Sequence, residues 1–167
     1  MCISMITHPR SDDDTVAVLK KWTDRIDPDT IPVSILSNPT TMGRKDVQLL
    51  RDLGSDIFTV ALDAATPGIF DRTRGKGVQS PHKWSKYWEV LLDAKDIFGP
   101  QKFGVHIIIG MGETEYEALQ LVQQVVDLGG HNHMFCFFPE QGSLMDHRPA
   151  SPRDQWRRVQ LGRYLID

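Results

Sequence analysis

The sequence predicts an α/β fold: one domain, residues 1–167, built as a partial (β/α) barrel with about five parallel strands. Short apolar runs alternate with amphipathic segments of about 10–17 residues, an arrangement typical of parallel strands joined by helices. The chain of 167 residues is long enough for one domain with a sizeable core. One side of several strands is small and polar. A doubly wound sheet is usually apolar on both faces, so an open barrel is favoured over a flat sheet.

The predicted elements follow one another in regular alternation. Strands are predicted at 2–8, 32–36, 56–63, 104–110 and 133–139. Helices are predicted at 11–26, 46–54, 82–99, 114–130 and 152–166, with one further helical turn at 67–70. Ser11 or an early aspartate is expected to accept hydrogen bonds at the N-cap of the first helix. Gly54 stands where a C-terminal glycine ends a helix.

Alternation along the strands separates the two faces of the predicted sheet. In the fourth strand the apolar side consists of Val105, Ile107 and Ile109, and the other side of His106, Ile108 and Gly110. In the third strand one side consists of Phe58, Val60 and Leu62, and the other side of Thr59, Ala61 and Asp63. The polar side is the one expected to face a barrel lumen, where ligands bind at the carboxyl ends of the strands.

Composition excludes several classes of partner. The net charge is −3, so no general basic field would attract nucleic acid. No apolar run approaches the roughly 20 residues that a membrane-spanning helix needs. The first residues, MCISMITHPRSDDD, lack the basic and apolar regions of a secretory signal, and a cytoplasmic location is expected.

The cysteines and the histidine-rich segment do not predict a metal site. Cys2 and Cys136 are far apart, have no metal-knuckle spacing, and are expected to pack as half-buried small hydrophobes rather than to form a disulfide. His131, His133 and Cys136 lie close in sequence, but His133 and Cys136 would point to opposite faces of a strand. The phenylalanines that follow, Phe135, Phe137 and Phe138, are expected in the core.

The stretch IGMGETE, directly after the fourth strand, has two interpretations. Gly110 and Gly112 allow a sharp turn or the close approach of a ligand. Glu113 falls at or near the N-cap of the next helix, where a carboxylate is favoured. A tight turn with a capping glutamate therefore competes with a ligand-binding turn. The dinucleotide pattern is not met, because it needs a third glycine.

Five residues are further candidates for binding. Asp63 ends the third strand on the polar side, either as the cap of the next turn or as an acceptor for hydroxyls or an amine. Arg72 and Arg74 follow in a glycine-bearing loop, either solvated or as a clamp for a carboxylate or phosphate. His8, at the end of the first strand, and His106 on the polar side are further candidates, with a hydrogen-bonded structural histidine as the alternative for each.

Together these stretches resemble the radical S-adenosylmethionine (SAM) superfamily. The likeness covers essentially the whole chain and is strongest over 56–145, in VALDAATPGIFDRTRG, GVHIIIGMGETE and HMFCFFPEQGS. The nearest branch is that of biotin synthase, lipoyl synthase and the biotin-synthase-related proteins. The family motif GxIxGxxE is met here as His106, Ile108, Gly110 and Glu113, with histidine in place of the first glycine.

The resemblance implies SAM as cofactor and assigns roles by position. Ile108 would line the adenine pocket, with His106 and Gly110 beside it, and Glu113 would support the turn. Asp63 would contact the ribose or the methionyl group. The methionyl carboxylate would be bound by Arg72 or Arg74. His8 lies where the family binds the methionyl amine, although the usual Gly-Gly-Glu is missing there.

The chain departs from the family in its cysteines. Members hold a [4Fe–4S] cluster on a CxxxCxxC loop after the first barrel strand, and neither Cys2 nor Cys136 lies in such a motif. The strand at 2–8 would then be the second barrel strand, and the first strand with the cluster loop would precede Met1. Its apolar edge would need a cover, such as a partner chain or an oligomer.

The resemblance implies a function and leaves alternatives. The chain would be the SAM- and substrate-binding part of an enzyme that acts on unactivated C–H bonds, with sulfur insertion as the nearest parallel and a small-molecule or acyl-carrier-type substrate. Alone it would be incompetent without the cluster loop. A second hypothesis is a cluster-less SAM-binding or partner-subunit module. An ordinary barrel lyase or aldolase is disfavoured, because no lysine stands clearly at a strand end.

Overall fold

The computed structural model describes all residues from Met1 to Asp167. Its strands are β1 (Cys2–Ser4), β2 (Val33–Ser37), β3 (Ser55–Asp63), β4 (Phe103–Ile109) and β5 (His131–Cys136). Its helices are α1 (Ser11–Thr23), α2 (Arg44–Asp52), α3 (Pro67–Thr73), α4 (Trp84–Phe98), α5 (Glu115–Asp127) and α6 (Arg153–Ile166). A short 3₁₀ turn at Lys76–Val78 follows α3. The predicted alternation of strands and helices is confirmed.

The five strands form one sheet in which every pair is parallel and the spatial order is the chain order, β1-β2-β3-β4-β5. The register is regular between β4 and β5, where His106 pairs with His133. Near the end of β3 it shifts, because Val60 pairs with Val105 but Asp63 pairs with Ile107. Asp63 has a positive φ of 59°, so the strand turns sharply at its last residue.

The two faces of the sheet differ as predicted. The apolar sides of β2, β3 and β4 are fully buried, including Ile35, Val60 and Ile107 at 0% exposure. Helix α4 packs on β3 and β4, and α5 packs on β4 and β5, which covers this face. On the other face Leu36, His106 and Ile108 are only half-buried, although Thr59 and Ala61 of β3 are buried there as well. The apolar cluster against the helices therefore forms the core, while the opposite face is less well covered.

Local signals set several helix ends. Gly54 follows α2 with φ 96°, the left-handed conformation that glycine adopts most readily, as the sequence predicts. Thr114 caps α5, because its hydroxyl accepts from the Glu117 amide and the Glu117 carboxylate accepts from the Thr114 amide. Thr66 caps α3, which is longer than the single predicted turn. The end of α2 and the starts of α3 and α5 are thus encoded by residues within three or four positions of each boundary.

Several sequence predictions are wrong in detail. The predicted strand at 2–8 has regular pairing only over Cys2–Ser4. Helix α1 has no side-chain cap, since Ser11 already lies within it and follows Arg10 at the N-cap. Cys2 and Cys136 are both exposed, because each lies on an edge strand with no covering neighbour.

The phenylalanines after β5 are also placed differently from the prediction. Phe137 is buried at 8% exposure, but Phe135 is 48% exposed and Phe138 is 74% exposed. Phe135 lies on the uncovered face of an edge strand, and Phe138 lies beyond the end of that strand. Only one of the three joins the core.

Candidate functional site

The turn after β4 is closed by its own glutamate. The Glu113 carboxylate accepts hydrogen bonds from the backbone amides of Gly110, at 2.6 Å, and Met111, at 2.9 Å. Glu113 is 6% exposed, and Thr114 rather than Glu113 is the N-cap of α5. A carboxylate that binds two backbone amides holds them strongly. Glu113 therefore supports the turn.

Gly110 is required by packing within the chain. Its φ is 101°, and a Cβ at this position would overlap the Ser151 hydroxyl oxygen. Ser151 donates from that hydroxyl to the Ile109 carbonyl at 2.5 Å, and its amide donates to the Phe137 carbonyl at 3.4 Å. The segment 137–151, called here the strap, thus returns to the carboxyl end of β4. The small residue at 110 makes room for the strap.

A partly buried ion pair links the ends of β2 and β3 to the loop after α3. The Arg74 guanidinium donates short hydrogen bonds to the Asp63 carboxylate and to the Asn38 side-chain oxygen. The side chains of Arg74 and Asp63 are only 21% and 19% exposed. Arg74 also lies over the Tyr87 ring, 5.6 Å from its centroid. The arginine fork is therefore occupied by groups of the protein itself.

A second set of polar side chains converges on His82. The Thr7 hydroxyl lies 2.9 Å from His82 Nε2, and the Tyr87 hydroxyl lies 3.0 Å from Nδ1. The Thr40 hydroxyl also makes a short contact with Nδ1. Burial, together with the nearby Arg74 charge, lowers the pKa of His82. The ring is accordingly neutral at pH 7, and hydroxyls can serve it as donors or acceptors.

A cavity of about 320 Å³ lies beside this network, at the carboxyl ends of β1 and β2. Its lining includes Thr7, His8, Asn38, Thr40 and His82. Small-molecule sites commonly measure about 300–1,000 Å³ and carry a few convergent polar groups, so the cavity is within that range. A larger cleft lies between α4 and α5 on the helical side and is lined by Trp84 and Trp88.

The electrostatics at Asp63 result from opposing effects. Burial raises the pKa of the Asp63 carboxyl, and the Arg74 charge and hydrogen bond act in the opposite direction. Burial is the larger effect. Asp63 is therefore a carboxylate that the fold holds in place at some cost in desolvation.

Three histidines cluster on the less covered face of β4 and β5. The His106 and His133 ring centroids are 5.2 Å apart, and those of His131 and His133 are 4.7 Å apart. Burial, followed by the two neighbouring imidazoles, lowers the pKa of His106 to about 4. Burial likewise lowers the pKa of His131 and His133. No three histidine, cysteine, aspartate or glutamate side chains converge as metal ligands anywhere in the chain.

The structure separates the candidate residues into groups. Asp63 and Arg74 meet directly, whereas Arg72 lies beside Gly68. The pKa of the Glu117 carboxyl is lowered by hydrogen bonds from Thr114 and, after them, by the charge of Arg72. His8 lines the cavity and accepts from the Arg10 amide at 3.1 Å. The remaining four lie in β4 and the turn after it; they are His106, Ile108, Gly110 and Glu113.

Sequence reasoning missed the partners that complete these groups. Asn38, His82 and Tyr87 come from three different elements, and no spacing in the sequence connects them. Ser151 and Arg148 belong to the part of the strap that lies between the predicted strand at 133–139 and the predicted helix at 152–166, where no secondary structure is predicted. Asn38 alone had a signal, since it stands at the carboxyl end of a strand on the polar side.

Comparison with known proteins adds no assignment. No family model matches the chain, and no curated protein is significantly similar to it. None of its helices is both long and apolar enough to cross a bilayer.

Proposed function

We propose that this chain is the SAM- and substrate-binding part of a radical SAM enzyme that acts on unactivated C–H bonds, with sulfur insertion as in lipoyl and biotin synthases as the nearest parallel. The observation that supports the proposal is the sheet itself. Its strands are parallel and ordered as in the chain, one face is less covered, and polar side chains collect at the carboxyl edge. The GxIxGxxE-like segment lies at that same edge.

The strand order supports the proposed partial barrel, through a general rule on crossovers. Crossovers between parallel strands are right-handed in nearly all proteins, so a sheet wound in one direction receives its helices on one side. Such a sheet curls around the uncovered face, and ligands bind at the carboxyl ends of the strands. The burial of Ile35, Val60 and Ile107, against the partial exposure of Leu36 and His106, agrees with this arrangement.

The residues present fit a nucleoside ligand. Ile108 offers a half-buried apolar surface on the less covered face of β4, and the Asp63 carboxylate is an acceptor for hydroxyl groups. Ile108 would contact the adenine, and Asp63 would orient the ribose from its fixed position on Arg74. SAM, when bound, supplies the hydrogen-abstracting fragment in enzymes of this family. The chain's own contribution is to bind and orient it.

The residues present do not fit a [4Fe–4S] cluster. Such clusters are held by thiolates, usually from closely spaced cysteines. Cys2 and Cys136 lie on β1 and β5, the two opposite edge strands of the sheet. No step that needs the cluster is assigned to this chain.

Calorimetric titration with SAM tests the proposal. We expect saturable binding to the wild-type chain and a loss of at least about tenfold in affinity for Ile108→Arg, because a buried cation would occupy the adenine surface. Ile31→Arg is the matched control, since Ile31 is 41% exposed and lies in the loop before β2. Absence of SAM binding by a folded wild-type chain would overturn the proposal.

A second candidate function is a cluster-less SAM-binding module or partner subunit with no radical chemistry of its own. The separation of the two cysteines favours it. Anaerobic incubation with SAM, a reductant and a cluster-bearing partner distinguishes the two: a chain that binds SAM but never supports SAM cleavage supports the module. The enzyme proposal requires SAM cleavage once a partner supplies the cluster.

The remaining assignments rest on the same proposal. The substrate would be a small molecule or a group on an acyl carrier, a partner chain or second copy would cover the open edge of β1, and the protein would act in the cytoplasm. Nucleic acid is not among the proposed partners, because a chain with a net charge of −3 has no general basic field to attract it.

A further inference from the structure

We infer that Arg148 is the anion-binding residue of this site and holds a carboxylate or phosphate of the ligand at the carboxyl ends of β4 and β5. The sequence predicts that Arg72 or Arg74 binds the anionic group of the ligand. In the structure neither side chain is well suited to that role. The Arg74 fork is bonded to Asp63 and Asn38, and Arg72 is turned toward Gly68 and Glu117. Arg72 makes no hydrogen bond or ion pair, but it is exposed on α3, where solvent screens its charge. A half-buried cation with free donors is better suited to bind an anion.

Arg148 lies at the turn after β4. The nearest neighbour of a Cβ built on Gly112 would be the Arg148 Nη2 atom, at 3.4 Å. Gly112 has φ 111° and no side chain, so the guanidinium and the turn backbone approach each other closely. An anion seated against this turn would meet the arginine directly.

The strap fixes Arg148 in place. Its guanidinium lies over the Phe137 ring, 5.8 Å from the centroid, and its backbone amide donates to the Met145 carbonyl at 3.0 Å. Phe137 is buried and donates from its amide to the Ile109 carbonyl at 2.7 Å. Ser151, three residues after Arg148, attaches the strap to the end of β4. Stacking on an aromatic ring holds an arginine without using its hydrogen-bond donors.

The donors of Arg148 remain free. No carboxylate lies within ion-pair distance of Arg148, and its side chain makes no hydrogen bond within the chain. By contrast, Arg44, Arg74 and Arg158 are each bound to carboxylates. The side chain is half-buried, so its charge is less screened than on an open surface. A planar fork with free donors is the group best suited to a carboxylate or phosphate.

The inference uses the proposed function only for the position of the site. The ligand anion could be the carboxylate of SAM itself or an acid group of the substrate, and both need the same fork. In either case the nucleoside end would lie against Ile108, and the anionic end would lie beyond the turn, under the strap.

The first experiment is an NMR titration of the ¹⁵N-labelled chain with inorganic phosphate and, separately, with acetate, observing the arginine Nε–H signals. We expect the Arg148 signal to shift with saturation, and the apparent affinity measured on the Gly112 amide to fall by about tenfold or more in Arg148→Gln, because the charged hydrogen bonds to the anion are lost. Arg148→Lys keeps the charge but loses the fork and should be intermediate. Arg157→Gln, on exposed α6, is the control. Equal responses from Arg148 and Arg157 would overturn the inference.

The second experiment identifies the anion. If it is the carboxylate of SAM, Arg148→Gln weakens SAM about tenfold but leaves decarboxylated SAM unchanged. If SAM is unaffected while phosphate still selects Arg148, the anion belongs to the substrate. A selective phosphate response without any SAM binding supports Arg148 and overturns the proposed function instead. Urea unfolding of each variant confirms that the comparison is between folded chains.

Discussion

The carboxyl edge of the sheet has two halves that use charge differently. At β2 and β3 the charged groups are bonded to one another, since Arg74 joins Asp63 and Asn38 while Tyr87 continues the network to His82. At β4 and β5 the backbone is bonded to Glu113 and Ser151, and the charge of Arg148 has no partner. A cation that the fold already neutralises stabilises the scaffold, whereas one that the fold positions but leaves unpaired is available to a ligand.

The largest effect is expected from breaking the paired half. Arg74→Ala leaves the mostly buried Asp63 carboxylate without its partner, and removing one member of a buried pair costs about 3–5 kcal/mol. The free energy of unfolding, measured in urea, should fall by about 3 kcal/mol. Arg72→Ala is the matched control and should change it by less than about 0.5 kcal/mol, as for most surface residues. Equal effects of the two substitutions would show that the Arg74–Asp63–Asn38 network does not stabilise the fold.

Gly110→Ala tests the attachment of the strap. The new methyl group would overlap Ser151, and the positive φ adds strain, so we expect a loss of about 2–3 kcal/mol. Gly142→Ala is the control, because Gly142 also has a positive φ, 82°, but no atom lies within 4 Å of the added methyl. It should cost only about 1 kcal/mol. The difference between the two variants measures the contact with Ser151, and a difference near zero would show that the strap does not pack there.

Glu113→Gln tests how the turn is held. The amide keeps one acceptor oxygen but loses the charge and the second acceptor, so one backbone amide is left without its bond. We expect a loss of about 2 kcal/mol in unfolding free energy, the usual value for a hydrogen bond to a charged group. Glu140→Gln, at an exposed position in the strap, should be nearly neutral. A neutral Glu113→Gln would mean that the turn does not depend on its carboxylate.

Much of the difference between the two halves of the carboxyl edge could not be predicted from the sequence. Alternation predicted the buried side of β4 and the polar side that carries His106 and Asp63, because period-two patterns depend only on neighbours in the chain. It could not predict that Arg74 is bonded to Asn38, 36 residues away, since that contact exists only after β2 and β3 pair. The strap was unpredictable for the same reason: Ser151 and Arg148 have no periodic pattern, and their position depends on where the chain returns after β5.

A smaller effect is expected from pH through His106, because this side chain is only half-buried and solvent screens part of its interactions. The pKa of His106 is lowered to about 4 in the folded chain, against about 6.5 in the unfolded one. As pH falls from 6.5 toward 4, the unfolded chain takes up a proton that the folded chain does not, so stability decreases. The fall in unfolding free energy between pH 7 and 4.5 should be shallower in His106→Asn than in wild type. Identical slopes would show that His106 is not held neutral.

The central claim is that ligands bind at the carboxyl edge of the sheet and not in the larger cleft between α4 and α5. The most direct measurement is the map of amide and indole chemical-shift changes when the ¹⁵N-labelled chain is titrated with S-adenosylhomocysteine. We expect saturable shifts at Ile108, Gly110, Gly112 and Asp63, with the Trp84 and Trp88 indole signals unchanged. Shifts confined to Trp84, Trp88 and the facing residues of α5 would contradict it.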